Sequence, residues 1–245
     1  SRAPNFAIQN CDLLISIGCR IDNIVSAFNQ KDFARNAKKI LIDCDINEIN
    51  KHPFESLVTI HSTVDYFLSN FPKEIYFDKK AQVVKWQKRC LNWKKKFHKE
   101  FRTAQNNNKI SHFEATNYLS DSLPENALIV TGSSGLAVEA FYTAFENRKG
   151  QRVFHTSALG AMGYGLPAAI GACLGVSKTP TFAIESDGSL QLNIQELATI
   201  TANKLPILLF IFNNEGYCSI RNTQTNYFES RFVGTNVDSG LFMPS

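Results

Sequence analysis

The sequence predicts an α/β protein in which parallel sheets are flanked by helices. Short apolar runs that end in Gly, Asp or Asn alternate with segments whose apolar residues recur at helical spacing. Runs that are apolar along their length, such as residues 12–18 and 206–212, are typical of strands covered on both faces. Apolar residues make up 44% of the 245 residues and charged residues 20%, a balance that argues against a disordered chain.

The first half of the chain predicts one strand–helix–strand unit, with strands at residues 12–18 and 39–45. The apolar residues that predict the connecting helix are Ile24, Val25, Phe28 and Phe33. A nucleotide-binding fold would use an acid such as Asp43 or Asp45 to hold a ribose. The turn after the first strand lacks the G-x-G-x-x-G pattern, so a structural Rossmann-like unit is favoured over dinucleotide binding by this segment alone.

A strongly basic segment follows, with ten Lys or Arg residues and one acid between residues 79 and 102. Residues at steps of three and four predict one apolar stripe along a helix: Trp86, Cys90, Trp93, Phe97 and Phe101. One interpretation is binding of nucleic acid or of a membrane surface. The favoured interpretation is a linking helix. Its apolar stripe would dock on a neighbouring domain while its lysines stay in water.

The second half repeats the alternation more fully, which predicts a second parallel sheet. The predicted helices cover residues 112–123, 136–145 and 190–202, with an Ala/Gly-rich helix that ends at Gly175. The predicted strands cover residues 127–131, 153–155, 181–185 and 206–212.

Two polar side chains follow successive strands of this half. Asp187 comes after one strand, and Asn214, 27 residues further along, comes after the next. A right-handed crossover places both at the carboxyl ends of parallel strands, where open α/β sheets bind ligands. Gly188 and Ser189 begin a predicted helix whose first amides attract anions. The pattern predicts Mg²⁺ held against a diphosphate, and the alternative is an ordinary helix cap followed by a turn.

The motifs in this half resemble those of a known superfamily. Residues 187–197 and 213–217 resemble the thiamine-diphosphate signature of the decarboxylase and acetolactate synthase superfamily, and residues 160–171 resemble its cofactor-supporting loop. The upstream half is similar to its central domain. Within the superfamily, residues 5–10 and 219–228 most resemble acetolactate-synthase-like proteins of surface-polysaccharide clusters.

The resemblance implies which residues bind the metal and the diphosphate. The metal ligands it implies are Asp187, Asn214 and the backbone carbonyl of Gly216. The groups it implies for the diphosphate are the amides of Gly188 and Ser189 and the loop of Ser133 and Ser134.

The resemblance also implies how the rest of thiamine diphosphate is held. Met162 would support the bent cofactor from beneath, and its amide and the Gly160 carbonyl would hold the aminopyrimidine. Tyr217 would form a wall of the pocket. Ordinary core packing is the alternative for Met162, but its place in a glycine-rich loop favours the cofactor role.

The function that the resemblance implies is that of a carboligase, a transferase or lyase dependent on thiamine diphosphate and Mg²⁺. It would decarboxylate pyruvate or a related 2-oxo acid and transfer the two-carbon unit to a carbonyl acceptor. The alternatives are simple decarboxylation or oxidation within the family, or a non-catalytic nucleotide-binding module. FAD is a further expectation, because Arg20, Asp22 and Asp43 resemble positions near the flavin of acetolactate synthases.

The resemblance divides the chain into three parts. Residues 1–75 correspond to the C-terminal part of the central domain, 76–104 to a linker helix, and 105–245 to a cofactor-binding domain truncated at its C-terminus. The chain is therefore expected to be a fragment, inactive alone, whose activating glutamate belongs to an N-terminal domain outside this sequence. The intact protein is expected to be a homodimer or homotetramer.

Composition bears on partners and location. The six cysteines are scattered without a C-x-x-C pair, which favours reduced thiols in a cytoplasmic protein. No apolar run approaches the ~18 residues of a membrane span. A net charge of +4 is too mild to indicate nucleic acid. The expected partner is a small 2-oxo acid, with neither a nucleic acid nor a membrane.

Overall fold

In the computed structural model the chain divides into two compact units, Ser1–His98 and Lys99–Ser245. The structure describes residues 2–23, 25–55, 57–72, 80–97, 109–132, 135–155 and 159–243.

The first unit is built on a parallel sheet with the strand order β1–β2–β3. The strands are β1 (Leu13–Ile17), β2 (Lys38–Asp43) and β3 (Leu57–His61). The helices are α1 (Arg2–Asn10), α2 (Ile46–Asn50), α3 (Val64–Ser69) and α4 (Lys80–Lys96). The buried core on one side of the sheet consists of Ile21, Phe33, Ala34, Ala37, Leu41 and Ile49.

Two predictions for this unit were wrong. The described residues between β1 and β2 form turns rather than a helix, with Ala27, Phe28 and Ala34 at positive φ, a conformation that cannot continue a right-handed helix. Strand β1 was expected to be buried on both faces. Instead its odd-numbered residues are exposed, because β1 lies at an edge of the described sheet and one of its faces is uncovered.

The basic segment forms helix α4, and its apolar stripe packs on helix α1 of the same unit. The ring of Phe6 on α1 stacks on Trp93 at 5.7 Å and on Phe97 at 5.4 Å. Trp86 meets Trp93 edge to face. The stripe therefore has an apolar partner, as expected of a docked helix. Phe101 lies outside the described residues.

His52 is a buried histidine that is expected to make the first unit less stable in acid. It is 8% exposed, its ring stacks on Phe54 at 4.7 Å, and its Nδ1 has no hydrogen-bond partner among the described residues. Burial, helped by the charge of Lys51, lowers the pKa of His52. The unfolded chain therefore binds the proton more readily, so this contribution to stability is complete above about pH 6.5 and is lost as the pH falls below it.

We expect His52→Phe to lose less thermal stability than the wild type between pH 7.5 and pH 5.5. The ring contact with Phe54 is kept, and the group that must charge on unfolding is removed. Unfolding midpoints measured at both pH values test this, with the exposed His155→Phe as the control. An equal loss in all three proteins would contradict the prediction.

The second unit contains a parallel sheet with the strand order β5–β4–β6–β7, as the alternation predicts. The strands are β4 (Leu128–Thr131), β5 (Arg152–Phe154), β6 (Thr181–Ser186) and β7 (Ile207–Phe212). The helices are α5 (His112–Ser122), α6 (Leu136–Ala144), α7 (Gly165–Gly175), α8 (Asp187–Leu190), α9 (Glu196–Ala202) and α10 (Cys218–Tyr227). The α/β fold class is confirmed.

Both faces of the central strands β4 and β6 are covered, which explains their uninterrupted apolar runs, whereas the edge strand β7 exposes Leu208 and Ile211. On one face Phe182 and Ile184 pack in a cluster with Phe141 of α6. On the other, Ala183 packs with Ala169 of α7. Because successive residues of a strand point to opposite faces, large residues meet one layer of helices and small residues let α7 approach the other.

The helix predicted over residues 190–202 is broken into pieces. Helix α8 begins earlier, at Asp187, and a 3₁₀ turn, Gln191–Asn193, separates it from α9. All six cysteines are free thiols. Within the described ranges, none of the helices has the length and apolar character needed to cross a membrane.

Candidate functional site

The neighbouring strands β6 and β7 bring Asp187 and Asn214 to the same edge of the sheet. The two strands are parallel, and Ser186, the last residue of β6, pairs with Phe212, the last residue of β7. Asp187 follows directly, and Asn214 follows two residues after β7. The juxtaposition predicted from their spacing is therefore present.

Asp187 and Asn214 each carry a buried oxygen with no hydrogen-bond partner among the described residues. Asp187 is 7% exposed, and its Oδ2 accepts a hydrogen bond from the Gly216 N–H at 2.8 Å, whereas its Oδ1 is unpartnered. The Oδ1 of Asn214 is unpartnered as well. A buried polar atom without a partner costs about 1–3 kcal/mol, so two at one sheet edge indicate a ligand that satisfies both.

The alternative of a helix cap and a turn accounts for neighbouring residues only. Asn213 is a turn residue, since its Oδ1 accepts a hydrogen bond from the Glu215 N–H at 3.0 Å. Ser186 is the N-cap of α8, and its side chain makes no capping hydrogen bond. Neither role uses the free oxygens of Asp187 and Asn214.

The donor set at this edge fits Mg²⁺. A carboxylate oxygen and an amide oxygen are hard ligands, and Mg²⁺ completes its octahedron with phosphate oxygens and water. The Gly216 carbonyl lies close by, 3.5 Å from where a Cβ on Gly188 would be. The described residues contain no cluster of three or more His, Cys, Asp or Glu side chains, so a cation here would depend on such mixed oxygen donors. The metal ligands remain a prediction.

A cleft of about 200 Å³ lies beside these oxygens. It is lined by most of the residues predicted to bind the cofactor: Gly160, Met162, Gly188, Ser189, Asn214, Gly216 and Tyr217. Ser133 and Ser134, predicted to meet the diphosphate, lie outside the described residues. The structure thus brings together residues from three separate stretches of sequence, and their roles remain predictions.

Met162 lines the cleft from a loop that is hydrogen-bonded to α8 and to the 3₁₀ turn after it. The Gly163 N–H donates to Ser189 Oγ at 2.8 Å, and Asn193 Nδ2 donates to the Gly163 carbonyl at 2.8 Å. Met162 is 40% exposed, which argues against core packing as its role. The hydrogen bonds of Gly163 therefore hold this loop against the residues that follow Asp187, with the apolar side chain of Met162 lining the cleft.

Glu185, which precedes the cleft residue Ser186, carries a buried carboxyl group and is 1% exposed. Burial raises the pKa of Glu185, and hydrogen bonds from Ser189, Ser186 and Gly165 oppose the shift. The Gly165 N–H donates to Oε2 at 2.9 Å, and the Ser186 N–H donates to Oε1 at 3.1 Å. A Cβ on Gly132 or on Gly165 would lie 2.3 Å from a Glu185 oxygen. The carboxyl group therefore joins β6, α7 and α8, and two of its partners, Ser186 and Ser189, line the cleft.

Five further residues, outside the predicted cofactor-binding set, also line the cleft: Gly135, Ser186, Cys218, Ser219 and Ile220. The Oγ of Ser219 is buried without a hydrogen-bond partner among the described residues and lies 3.9 Å from where a Cβ on Gly135 would be. The sequence does not indicate that Ser219 lines the cleft, because only the fold shows that its hydroxyl is buried and unpartnered.

The residues expected near FAD are engaged locally in the first unit. Arg20 pairs with Glu48 at 2.9 Å. Asp22 Oδ1 accepts from the Val25 N–H at 2.9 Å, and Asp43 Oδ1 accepts from the N–H two residues on at 2.9 Å. None of these three residues carries a buried, unpartnered side-chain atom that would indicate a ligand, so the structure adds no support for the flavin.

Comparison with known proteins agrees with this geometry. Residues 131–243 match the C-terminal TPP binding domain of thiamine pyrophosphate enzymes, and residues 1–71 match their central domain. The chain is 29% identical to the acetolactate synthase large subunit of Porphyra purpurea, over 96% of this chain and 39% of that protein. It is 31% identical to the large subunit of Cyanidium caldarium, over 96% of this chain and 40% of that protein.

A bacterial relative has a similar identity and coverage. The large subunit of acetolactate synthase isozyme 2 of Escherichia coli K12 is 28% identical over 97% of this chain and 41% of that protein. The chain therefore spans about 40% of the length of these curated relatives.

Proposed function

Because the chain belongs to the thiamine pyrophosphate enzyme family, with acetolactate synthase large subunits among its relatives, we propose that it binds thiamine diphosphate through Mg²⁺ at the edge formed by β6 and β7. The observation that carries the proposal is the pair of buried, unpartnered oxygens on Asp187 and Asn214. Their position beside a cleft that Met162 lines fits a metal-bound diphosphate with an apolar support nearby.

Different residues of this chain bind the metal, the diphosphate and the rest of the cofactor. Asp187, Asn214 and the Gly216 carbonyl bind the metal, and the amides at the start of α8 donate to the diphosphate. Met162 supports the cofactor from beneath, and Tyr217 closes one wall of the cleft. When bound, thiamine diphosphate supplies the carbanion chemistry, whereas the protein supplies position and electrostatics.

We further propose that the whole protein is a carboligase of the acetolactate synthase kind. It decarboxylates pyruvate or a related 2-oxo acid and transfers the two-carbon unit to a carbonyl acceptor, and it works as a homodimer or homotetramer. The relatives named acetolactate synthase support this reaction over simple decarboxylation or oxidation. Product formation that depends on an added carbonyl acceptor separates the reactions.

Calorimetric titration of this chain with thiamine diphosphate tests the binding proposal. We expect binding in the presence of Mg²⁺ and its loss in EDTA, because the diphosphate charge then lacks a bridging cation. NAD, titrated in parallel, is expected not to bind, since the turn after β1 lacks the glycine pattern. Equal affinity for thiamine diphosphate with Mg²⁺ and with EDTA would contradict the proposal.

A further inference from the structure

Arg221 lies on α10, next to the loop that carries Asn214 and Gly216. Its guanidinium donates hydrogen bonds to three backbone carbonyl oxygens. Nη2 donates to the Asn214 carbonyl at 2.7 Å, and Nη1 donates to the Thr235 carbonyl at 2.7 Å and to the Glu215 carbonyl at 3.3 Å. We propose that Arg221 is a positioning residue that sets the peptide planes of this loop and thereby orients the metal ligands. The proposal rests on the proposed function, which supplies those ligands.

One peptide group is held at both ends by Arg221 and Asp187. In a planar trans peptide the carbonyl and the following N–H point in opposite directions. The Glu215 carbonyl accepts from Arg221, and the Gly216 N–H donates to Asp187 Oδ2 at 2.8 Å. The guanidinium thus helps to direct this N–H at one oxygen of Asp187, which leaves the other oxygen for the metal.

The preceding peptide is held in the same way. The Asn214 carbonyl accepts from Arg221, and the Glu215 N–H donates to Asn213 Oδ1 at 3.0 Å. Glu215 has a φ of +62° and Gly216 a φ of +122°. A left-handed conformation at a non-glycine residue costs about 1–3 kcal/mol and persists only where its surroundings enforce it. The paired contacts on each peptide provide that enforcement.

Thr235 supplies a backbone carbonyl that is an acceptor shared by Arg221 and the loop. Its side chain is buried, and its carbonyl accepts hydrogen bonds from Arg221 and from the Tyr217 N–H at 3.0 Å. A Cβ on Gly216 would lie 2.3 Å from this carbonyl oxygen, so the loop runs against it without space for a side chain. A planar guanidinium reaches three acceptors in different directions, which a lysine ammonium on a flexible stem does not reproduce.

The test compares Arg221→Met and Arg221→Lys with the wild-type chain. All three residues have similar helix propensity, so α10 itself is little affected. We expect Arg221→Met to accelerate hydrogen exchange at the Gly216 and Tyr217 amides by about 10-fold or more. We expect it to weaken Mg²⁺-dependent binding of thiamine diphosphate by about 10- to 100-fold, as for other residues that orient metal ligands. Arg221→Lys should recover part of both losses.

Arg231→Met is the matched control, because that arginine is exposed and pairs with the exposed Glu229 at 2.8 Å. It should leave both measurements unchanged. Wild-type exchange rates at the Gly216 and Tyr217 amides in Arg221→Met would overturn the proposal, and so would wild-type cofactor affinity. Failure of the wild-type chain to bind thiamine diphosphate would count against the proposed function, and the exchange measurement would still decide the role of Arg221.

Discussion

Asp187→Ala is expected to weaken binding of thiamine diphosphate in the presence of Mg²⁺ by more than about 100-fold, since removing one partner of a buried charge pair costs about 3–5 kcal/mol. The variant removes both the unpartnered oxygen and the acceptor of the Gly216 N–H. The affinity of Asp187→Asn for thiamine diphosphate should lie between those of Asp187→Ala and the wild type, because this variant keeps two polar atoms but loses the charge. Calorimetry with Mg²⁺ in excess measures the effect.

The control for this experiment is Asp238→Ala. Asp238 is exposed and belongs to the same unit, so its removal changes the net charge equally. It should leave the affinity unaltered. If both alanine variants bound thiamine diphosphate as tightly as the wild type, Asp187 would not be a ligand of the metal, and the binding proposal would lose the residue on which it most depends.

Gly165→Ala is expected to destabilise the second unit by about 2–4 kcal/mol, through overpacking and a weakened buried hydrogen bond. The added Cβ would lie 2.3 Å from Glu185 Oε2 and 3.0 Å from the backbone nitrogen of Gly132. Glu185 cannot swing aside cheaply, because its carboxyl group is buried and accepts hydrogen bonds from three donors. Denaturant unfolding measures the loss.

Helix α7 also contains a glycine whose replacement should raise the stability rather than lower it, which provides a control. A Cβ on Gly171 of α7 would meet no atom within 4 Å, so Gly171→Ala should stabilise the unit by about 0.5–1 kcal/mol through helix propensity. Glu185→Asp shortens the side chain and withdraws its oxygens from Gly165. The double variant Gly165→Ala/Glu185→Asp should therefore lose less stability than the sum of the two single changes. Strict additivity would show that the contact is not responsible.

The apolar strands β4, β6 and β7 were predictable from sequence to within about two residues, but β7 was expected to be covered on both faces and instead exposes Leu208 and Ile211. β4, β6 and β7 are continuous apolar runs, and their ends place Asp187 and Asn214 together as predicted. Strand β3 was missed, because in Leu57–His61 polar residues interrupt the apolar ones and Val58 is exposed. The prediction of a helix between β1 and β2 was wrong, because apolar spacing carries no information on the positive φ values found there.

The support beneath the site was not predictable from the sequence, because it depends on tertiary contacts. The sequence places Glu185 at the end of an apolar strand, but it does not predict its glycine neighbours, which come from positions 20 and 53 residues earlier in the chain. The three carbonyl contacts of Arg221 join residues up to 14 positions apart. Spacing along a strand predicts which residues reach the sheet edge, but it does not predict which backbone groups will face them.

The central position of β6 has a consequence for how this protein can change during evolution. Along that strand Ala183 and Glu185 alternate with Phe182 and Ile184, and Asp187 comes immediately after its last residue. An insertion or deletion of one residue within the strand would reverse which side chains meet each layer of helices. It would also move Asp187 away from Asn214. Length variation should therefore accumulate in surface loops such as residues 146–151, whereas β6 keeps its length, because packing and the proposed metal site impose the same limit on it.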